Sequence, residues 1–255
     1  MKTKNPGPAY RFEQEGANRS LVFVPPAGED SMDIRLFLRG PAMDEARGDP
    51  FLSRALLGVH IPDAVPLTAP RQVHGTEIIY ASIETALPHR PPGDGVILRE
   101  PGVEGSLRFA DCFPVTLASL FPSPWIALLH SGYKGVALNI SGKTCAKLFN
   151  SGAADPSRTW AWIGPGISQN HYFRKKGESW TDRGLETFHR DNINESGDAV
   201  YFDLGNEIRR QLEGAGLGKD MICTVPLCTF RDYDVCYSYR RGDLESRMFL
   251  LARID

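Results

Sequence analysis

The sequence has no long basic tract, no apolar run of membrane-spanning length and no closely spaced CxxC pair. Its formal net charge is −2 over 255 residues, so no wide cationic footprint for nucleic acid is expected. A bilayer-crossing helix needs about 20 consecutive apolar residues, and no stretch approaches that. The opening segment MKTKNPGPAYRFEQEG puts Pro, Gly and charge where an export signal carries its apolar centre, so a cytoplasmic location is expected. Five cysteines are an odd number, which argues against a disulfide framework or zinc knuckle and for free thiols or metal ligands. With six histidines the chain is poor in imidazole for an oxidase that needs several copper ions. No repeat, low-complexity tract or linker divides it.

What is present is ordinary globular material, 42% hydrophobic and 24% charged, enough for a sizeable core. Residues 1 to about 20 read as a loose polar lead-in. Strands are expected at Leu21–Val24, Ile34–Leu38, Glu77–Tyr80, Val96–Leu98, Ser106–Ala110, Trp125–Leu129, Trp160–Ile163, Met221–Leu227 and Met248–Ala252. Helical patterns cover Met43–Leu57, with Phe51, Leu52, Ala55 and Leu56 on one side and Gly58 as its stop. Others cover Val136–Phe149, with Leu138, Cys145, Leu148 and Phe149 inward, then Gly184–Arg190, and Leu204–Leu212 with Asp203 as N-cap. Strands outnumber helices and do not alternate with them regularly, so the chain reads as one α+β domain over residues 1–255 with mixed sheets.

Chemistry concentrates between Ser106 and Gly135. Here two apolar strand patterns finish near Cys112 and His130, residues that are costly at a strand end unless something uses them. His74, in Gln72-Val73-His74-Gly75, is a third such residue. Two imidazoles and a thiolate suit zinc with a fourth position left for water, whose pKa the ion lowers to about 7. The spacing of the three is no local metal signature. Ser141-Gly142-Lys143-Thr144 imitates a phosphate-binding loop, but the required upstream glycine is Ala137 and the segment falls inside a helix.

Seven segments occur together and in order: Gln72-Val73-His74-Gly75, Ala110-Asp111-Cys112-Phe113-Pro114-Val115, His130-Ser131-Gly132-Tyr133-Lys134-Gly135, Ile163-Gly164-Pro165, Phe202-Asp203-Leu204, Cys228-Thr229 and Ser238-Tyr239-Arg240-Arg241. Over roughly residues 70 to 250 the chain resembles the laccase-domain or polyphenol oxidase family, which is associated with purine nucleoside phosphorylase and adenosine deaminase activity and with peptidoglycan editing. The resemblance implies a mixed β-sandwich flanked by helices and a zinc ion on His74, Cys112 and His130, with copper as the alternative metal. It implies a purine nucleoside and phosphate as partners. Asp111, Arg240 and Arg241 become candidate catalytic groups, the arginines through their fit to phosphate or ribose. Gln72, Lys134 and Tyr172 become candidate substrate contacts.

The chain departs from the family pattern in places. HAGWRG is here HSGYKG, which replaces a planar guanidinium by the point charge of Lys134. The cysteine after Ile-Gly-Pro is Gly166, the Tyr-Glu-Val segment is Tyr172-Phe173-Arg174, and the acidic residue after the paired arginines is Gly242. Two rival readings keep the same residues. One makes Cys112 the nucleophile of a cysteine hydrolase with His74 or His130 as its base; the other is a non-catalytic descendant that retains the metal.

Overall fold

The computed structural model describes residues 7–28, 31–58 and 65–255. In chain order these form β1 (Ala9–Glu15), β2 (Asn18–Val24), β3 (Met32–Phe37), α1 (Pro41–Ala46), α2 (Pro50–Leu56), β4 (Leu67–Thr68), β5 (Ile78–Tyr80), β6 (Gly95–Leu98), β7 (Glu104–Phe109) and β8 (Phe113–Ser119). There follow β9 (Trp125–Ser131), α3 (Tyr133–Ala137), α4 (Ile140–Asn150), β10 (Trp160–Ile163), β11 (Phe173–Lys175), α5 (Ser179–Thr187), β12 (Ile193–Ser196), β13 (Ala199–Phe202), α6 (Leu204–Gly214), β14 (Ile222–Thr224) and β15 (Met248–Ile254). One six-stranded sheet has the order β1-β2-β3-β15-β7-β4, a second β14-β10-β8-β9-β6-β5, and β11-β13-β12 make a small third. Parallel pairings of β4 with β7, β5 with β6 and β10 with β14 interrupt otherwise antiparallel ladders. No helix among the described residues is long and apolar enough to cross a membrane.

The two large sheets pack face to face, with Leu21, Ile34, Leu36, Leu107 and Leu250 of the first meeting Leu98, Ile126, Leu128 and Trp162 of the second. The outer face of the second sheet carries Val115, Leu117, Ala127, Leu129 and Ile163, which pack with Val136, Ile140, Leu148, Ile208 and Leu212 of α3, α4 and α6. The fold is therefore an α+β mixed sandwich flanked by helices. This layering explains the unbroken apolar run of β9: Ile126 and Leu128 enter one core, Ala127 and Leu129 the other, and all seven residues are buried. Each large side chain so buried contributes about 1.5–3 kcal/mol. His130 keeps the parity of Leu128 and lies against Phe109 of the facing sheet, ring centroids 5.5 Å apart.

Several local expectations need correction. Ala9–Glu15 is no loose lead-in but an edge strand paired along its length with β2; its AYRFEQE pattern is mostly exposed and lacks an inward face to signal it. The Met43–Leu57 pattern is two helices, broken where Arg47 and Gly48 take positive φ and restarted by Asp49, whose side chain accepts the Leu52 N–H ahead of Pro50. Phe51 and Leu52, expected on one apolar side of that helix, are 68% and 37% exposed. Val136–Phe149 is likewise interrupted, because Asn139 adopts φ 60° and caps α4 by accepting the Gly142 N–H. Gly142-Lys143-Thr144 lies inside that helix, as expected. The helix placed at Gly184–Arg190 is α5, shifted toward the N-terminus, and Met221–Leu227 shortens to β14. β8 was not anticipated, its second residue being Pro114, although it lies between β9 and β10.

Candidate metal centre

His74 sits in the turn before β5, Cys112 in the turn joining β7 to β8, and His130 next to the last residue of β9. The fold brings the three together: one ligand atom from each lies within 4.8 Å of the others, and the two imidazole centroids are 4.9 Å apart. Gly132 makes the close approach possible. A Cβ there would fall 2.6 Å from Cys112 Sγ and 3.2 Å from His74 Cδ2, so any other residue would push into the ligand gap.

One carboxylate organises this cluster. Asp94, fully buried, accepts through Oδ1 from the His74 N–H at 2.9 Å and from His130 Nδ1 at 2.9 Å. Its Oδ2 accepts from the N–H groups of Gly75 at 2.6 Å and Val73 at 3.2 Å. His74 has φ 60°, a left-handed conformation that costs about 1–2 kcal/mol for a residue with a Cβ and that the three backbone bonds hold in place. On the other side, the bond to Nδ1 assigns the His130 tautomer and leaves Nε2 free as a donor to a metal. Burial opposes ionisation of Asp94, but the His130 ring and the N–H groups of Gly75 and Val73 outweigh it and keep the carboxyl below its ordinary range. Burial also lowers His130, only partly countered by Asp94, so the ring is neutral near pH 7, as a ligand must be. The Cys112 thiol is pushed up to about 12, first by burial and then by Asp111 and Asp94. Asp94 is not among the candidates read from the sequence. Its signal was an acidic residue between two glycines, running directly into the apolar Val96-Ile97-Leu98.

The triad opens on a cavity of about 650 Å³, lined by seven cationic side chains and one carboxylate, that of Asp111. Gln72, Lys134, Tyr172 and Arg240 all line it. Gln72 spends its amide on β7, accepting from the Arg108 N–H at 2.9 Å and donating to the Arg108 carbonyl at 2.8 Å. Asp111, at φ 87° in a turn, accepts from Thr229 Oγ1 and from the Arg240 N–H, both at 2.7 Å. Arg240 lies over the rings of Tyr172 and Phe173 at 5.1 and 5.2 Å, and Lys134 over Trp180 at 4.9 Å. Burial raises the Tyr172 hydroxyl to about 12, although Arg174 opposes the shift. Arg241 does not line the cavity; its guanidinium is consumed by the carbonyls of Thr229, Phe230 and Cys236 and by Asp243. Arg174, read from the sequence only as a departure from the family pattern, and Arg71, Arg90, Arg108 and Arg247, not singled out there, complete the cationic wall.

Two imidazoles, a thiol, a carboxylate that fixes one ring and a glycine-sized gap fit a single transition-metal ion. Among the described residues this is the one cluster of three or more such donors. The comparison with known proteins shows the class to which a chain of this fold belongs. The chain belongs to the family described as multi-copper polyphenol oxidoreductase laccase, whose pattern matches residues 52–254. It is 32% identical over 170 residues to a Deinococcus radiodurans protein named purine nucleoside phosphorylase, covering 67% of this chain and 62% of that one. It is 29% identical over 197 residues to a Xylella fastidiosa protein of the same name, covering 72% and 70%. Among solved structures, YlmD from Geobacillus stearothermophilus superposes with a TM-score of 0.77 at 22% identity over 96% of this chain and 99% of that one. Bacillus licheniformis hypothetical protein YfiH gives 0.79 at 17% identity over 96% and 99%. These two likenesses concern the fold.

Proposed function

We propose that the chain is a zinc-dependent purine nucleoside phosphorylase, with His74, Cys112 and His130 as the metal ligands. The observation that carries this reading is the juxtaposition of an Asp94-organised His-Cys-His centre with a cationic, aromatic-lined cavity. The names of the Deinococcus and Xylella relatives support it. Zinc bound there would act as a Lewis acid and lower the pKa of a coordinated water to about 7.

The side chains of this protein would bind and orient. In phosphorolysis an oxygen of phosphate bonds to C1′ of the ribose as the C1′–N9 bond breaks, and the bonding pair leaves with the base, which takes up a proton. Cationic groups along the wall hold the phosphate and offset its charge against the developing base anion. Tyr172, Tyr239 and the guanidinium plane of Arg240 offer flat surfaces for a purine. Asp111, with both oxygens engaged, acts as a positioning residue: it ties Arg240 and the Thr229 segment to the turn that carries Cys112. Arg241 braces the same loop from behind. Deamination of adenosine, in which water adds at C6 and ammonia leaves, is a second activity for the same cavity.

The cysteine hydrolase reading is disfavoured, because a nucleophilic cysteine needs a lowered pKa and Cys112 is pushed up to about 12. The test is to purify the protein without chelator, measure metal content, and incubate it with adenosine and inosine, with and without phosphate, beside His74→Ala and Cys112→Ala. About one zinc per chain, lost in both variants together with phosphate-dependent base release, is the expected result. Zinc without turnover would leave the non-catalytic reading, and a metal-free active protein would overturn the ligand assignment.

A further inference from the structure

Cys228 belongs to one of the seven segments singled out in the sequence, yet it takes no part in the metal triad. It follows β14 and is held against the turn after β10. A parallel bridge pairs it with Gly166, and the Thr229 N–H donates to the Gly166 carbonyl at 3.1 Å. Its thiol thereby comes to rest beside two side chains of the next turn. Sγ lies 3.2 Å from Ser168 Oγ and 3.6 Å from His171 Nδ1, and Ser168 Oγ lies 3.0 Å from the same ring nitrogen. The Ser168 N–H also donates to Sγ, at 3.4 Å. Stacking on Phe230, with centroids 4.5 Å apart and planes inclined by 19°, fixes the imidazole.

These contacts make a proton path. With Nδ1 unprotonated and the ring proton on Nε2, the thiol donates to Ser168 Oγ and the hydroxyl donates to Nδ1. A thiol within reach of a base, with a backbone N–H aimed at its sulfur, has the parts of an activated nucleophile. Cys228 also lines a cavity of about 420 Å³, together with Gly166, Ser168, Gln169 and Leu227, that shares no lining residue with the metal cavity. The residue is 4% exposed, so a reagent must be small and must enter that cavity to meet the sulfur. The remaining cysteines are placed differently. Burial pushes the thiols of Cys145 and Cys236 up to about 12 and raises that of Cys223, while Cys112 belongs to the metal triad.

We propose that Cys228, Ser168 and His171 form a second reactive site, one that exchanges with low-molecular-weight disulfides and carries the resulting adduct on Cys228. In the exchange Cys228 Sγ bonds to one sulfur of the disulfide as its S–S bond breaks, and the bonding pair leaves on the other sulfur. The proton given up by Cys228 passes through Ser168 Oγ to His171 Nδ1 and from there to the departing thiolate. The products are a mixed disulfide on Cys228 and one free thiol, so the small disulfide is the oxidant and an added thiol reverses the reaction. The site stands independently of the phosphorylase reading.

The experiment treats the protein, purified without chelator, with cystamine near neutral pH, quenches with acid at intervals and maps the adducts by peptide mass spectrometry. Ser168→Ala and His171→Phe are carried alongside, with thermal melts. Cys228 should be the first thiol modified, and dithiothreitol should remove the adduct. Cys223 is the more exposed of the two, so access alone would put it first; the order separates activation from exposure. The rate at Cys228 should fall about tenfold or more in His171→Phe, which keeps a ring against Phe230 but no base. Ser168→Ala breaks the relay at its midpoint and should slow the reaction too; as a small change at a half-buried position it decides the matter if His171→Phe melts low. Modification of Cys223 or Cys112 ahead of Cys228, or a Cys228 rate within twofold of wild type in both variants, would overturn the site. Nucleoside turnover is not the readout, so a failed phosphorylase reading leaves this test intact.

Discussion

Replacing Asp94 by Asn isolates the contribution of one carboxylate to metal binding. The substitution is nearly isosteric, so the cavity left behind is negligible, but an amide cannot serve the four donors that Asp94 now accepts. If its oxygen stays on the His74 N–H and His130 Nδ1, its NH2 group faces the N–H groups of Gly75 and Val73; if it flips, the NH2 faces His130. Either way two acceptor contacts become donor against donor. Charge-assisted bonds of this kind are worth about 1.5–3 kcal/mol each, and some of that loss is recovered as the His74 turn relaxes from its left-handed conformation. Outer partners of metal-bound histidines typically account for about 10–100-fold in affinity, or about 1.4–2.7 kcal/mol. Zinc affinity measured by competition with a chromophoric chelator at pH 7.5 should therefore fall by about that factor, with far-UV circular dichroism unchanged. Zinc binding within twofold of wild type in a folded Asp94→Asn protein would refute the claim that this carboxylate organises the site.

Glu104 is fully buried and raised to about 7 by burial, against the pull of Arg54, whose Nε lies 2.8 Å away in an ion pair that misses hydrogen-bond geometry. Because the folded pKa exceeds the ordinary 4.5, the folded state holds the proton more tightly; this stability is full below pH 4.5 and is lost as the pH rises through 7. The loss is at most about 3 kcal/mol, readable as a fall in urea stability between pH 4.5 and 8 that flattens in Glu104→Gln. An equal slope in both proteins would remove Glu104 as its source. Gly132→Ala should abolish stoichiometric metal binding while the metal-free melting temperature moves little, because its Cβ enters the ligand gap; retained one-to-one binding would contradict the packing. Gly166→Ala should cost about 1–3 kcal/mol by overpacking, since a Cβ there meets the Phe113 ring. Phe113→Leu should recover part of it, and strict additivity of the two changes would rule out the contact.

The parts of the fold that were legible in the sequence are those whose local pattern matches their tertiary surroundings. β9 announced itself because both its faces are buried, and Asp203 because a capping side chain before an amphipathic run is a local signal. β1 did not, being an exposed edge, and neither break in the two helical patterns did, since each depends on a single residue taking positive φ. At the site, His74, Cys112 and His130 were singled out by the segments around them, not by spacing. Asp94 escaped because a buried carboxylate looks like any loop aspartate until its four donors are seen. Arg71, Arg90, Arg108 and Arg247 escaped for another reason: only the folded chain gathers residues so far apart onto one wall. The paired Arg240 and Arg241 looked equivalent in sequence, yet one lines the cavity and the other is spent on carbonyls.

The three candidate ligands do not sit on equally secure ground. His130 ends a strand shared by both cores, and its companion Asp94 is inaccessible to solvent, whereas His74 rides on an exposed turn held by the hydrogen bonds of one side chain. An ion at this centre would thus have its firmest anchor in His130, inside a strand that yields only when the sandwich unfolds, and its loosest in His74, which swings away in a local opening. Metal exchange would then follow the rhythm of that single turn, and a chelator should empty the site while circular dichroism reports a folded protein.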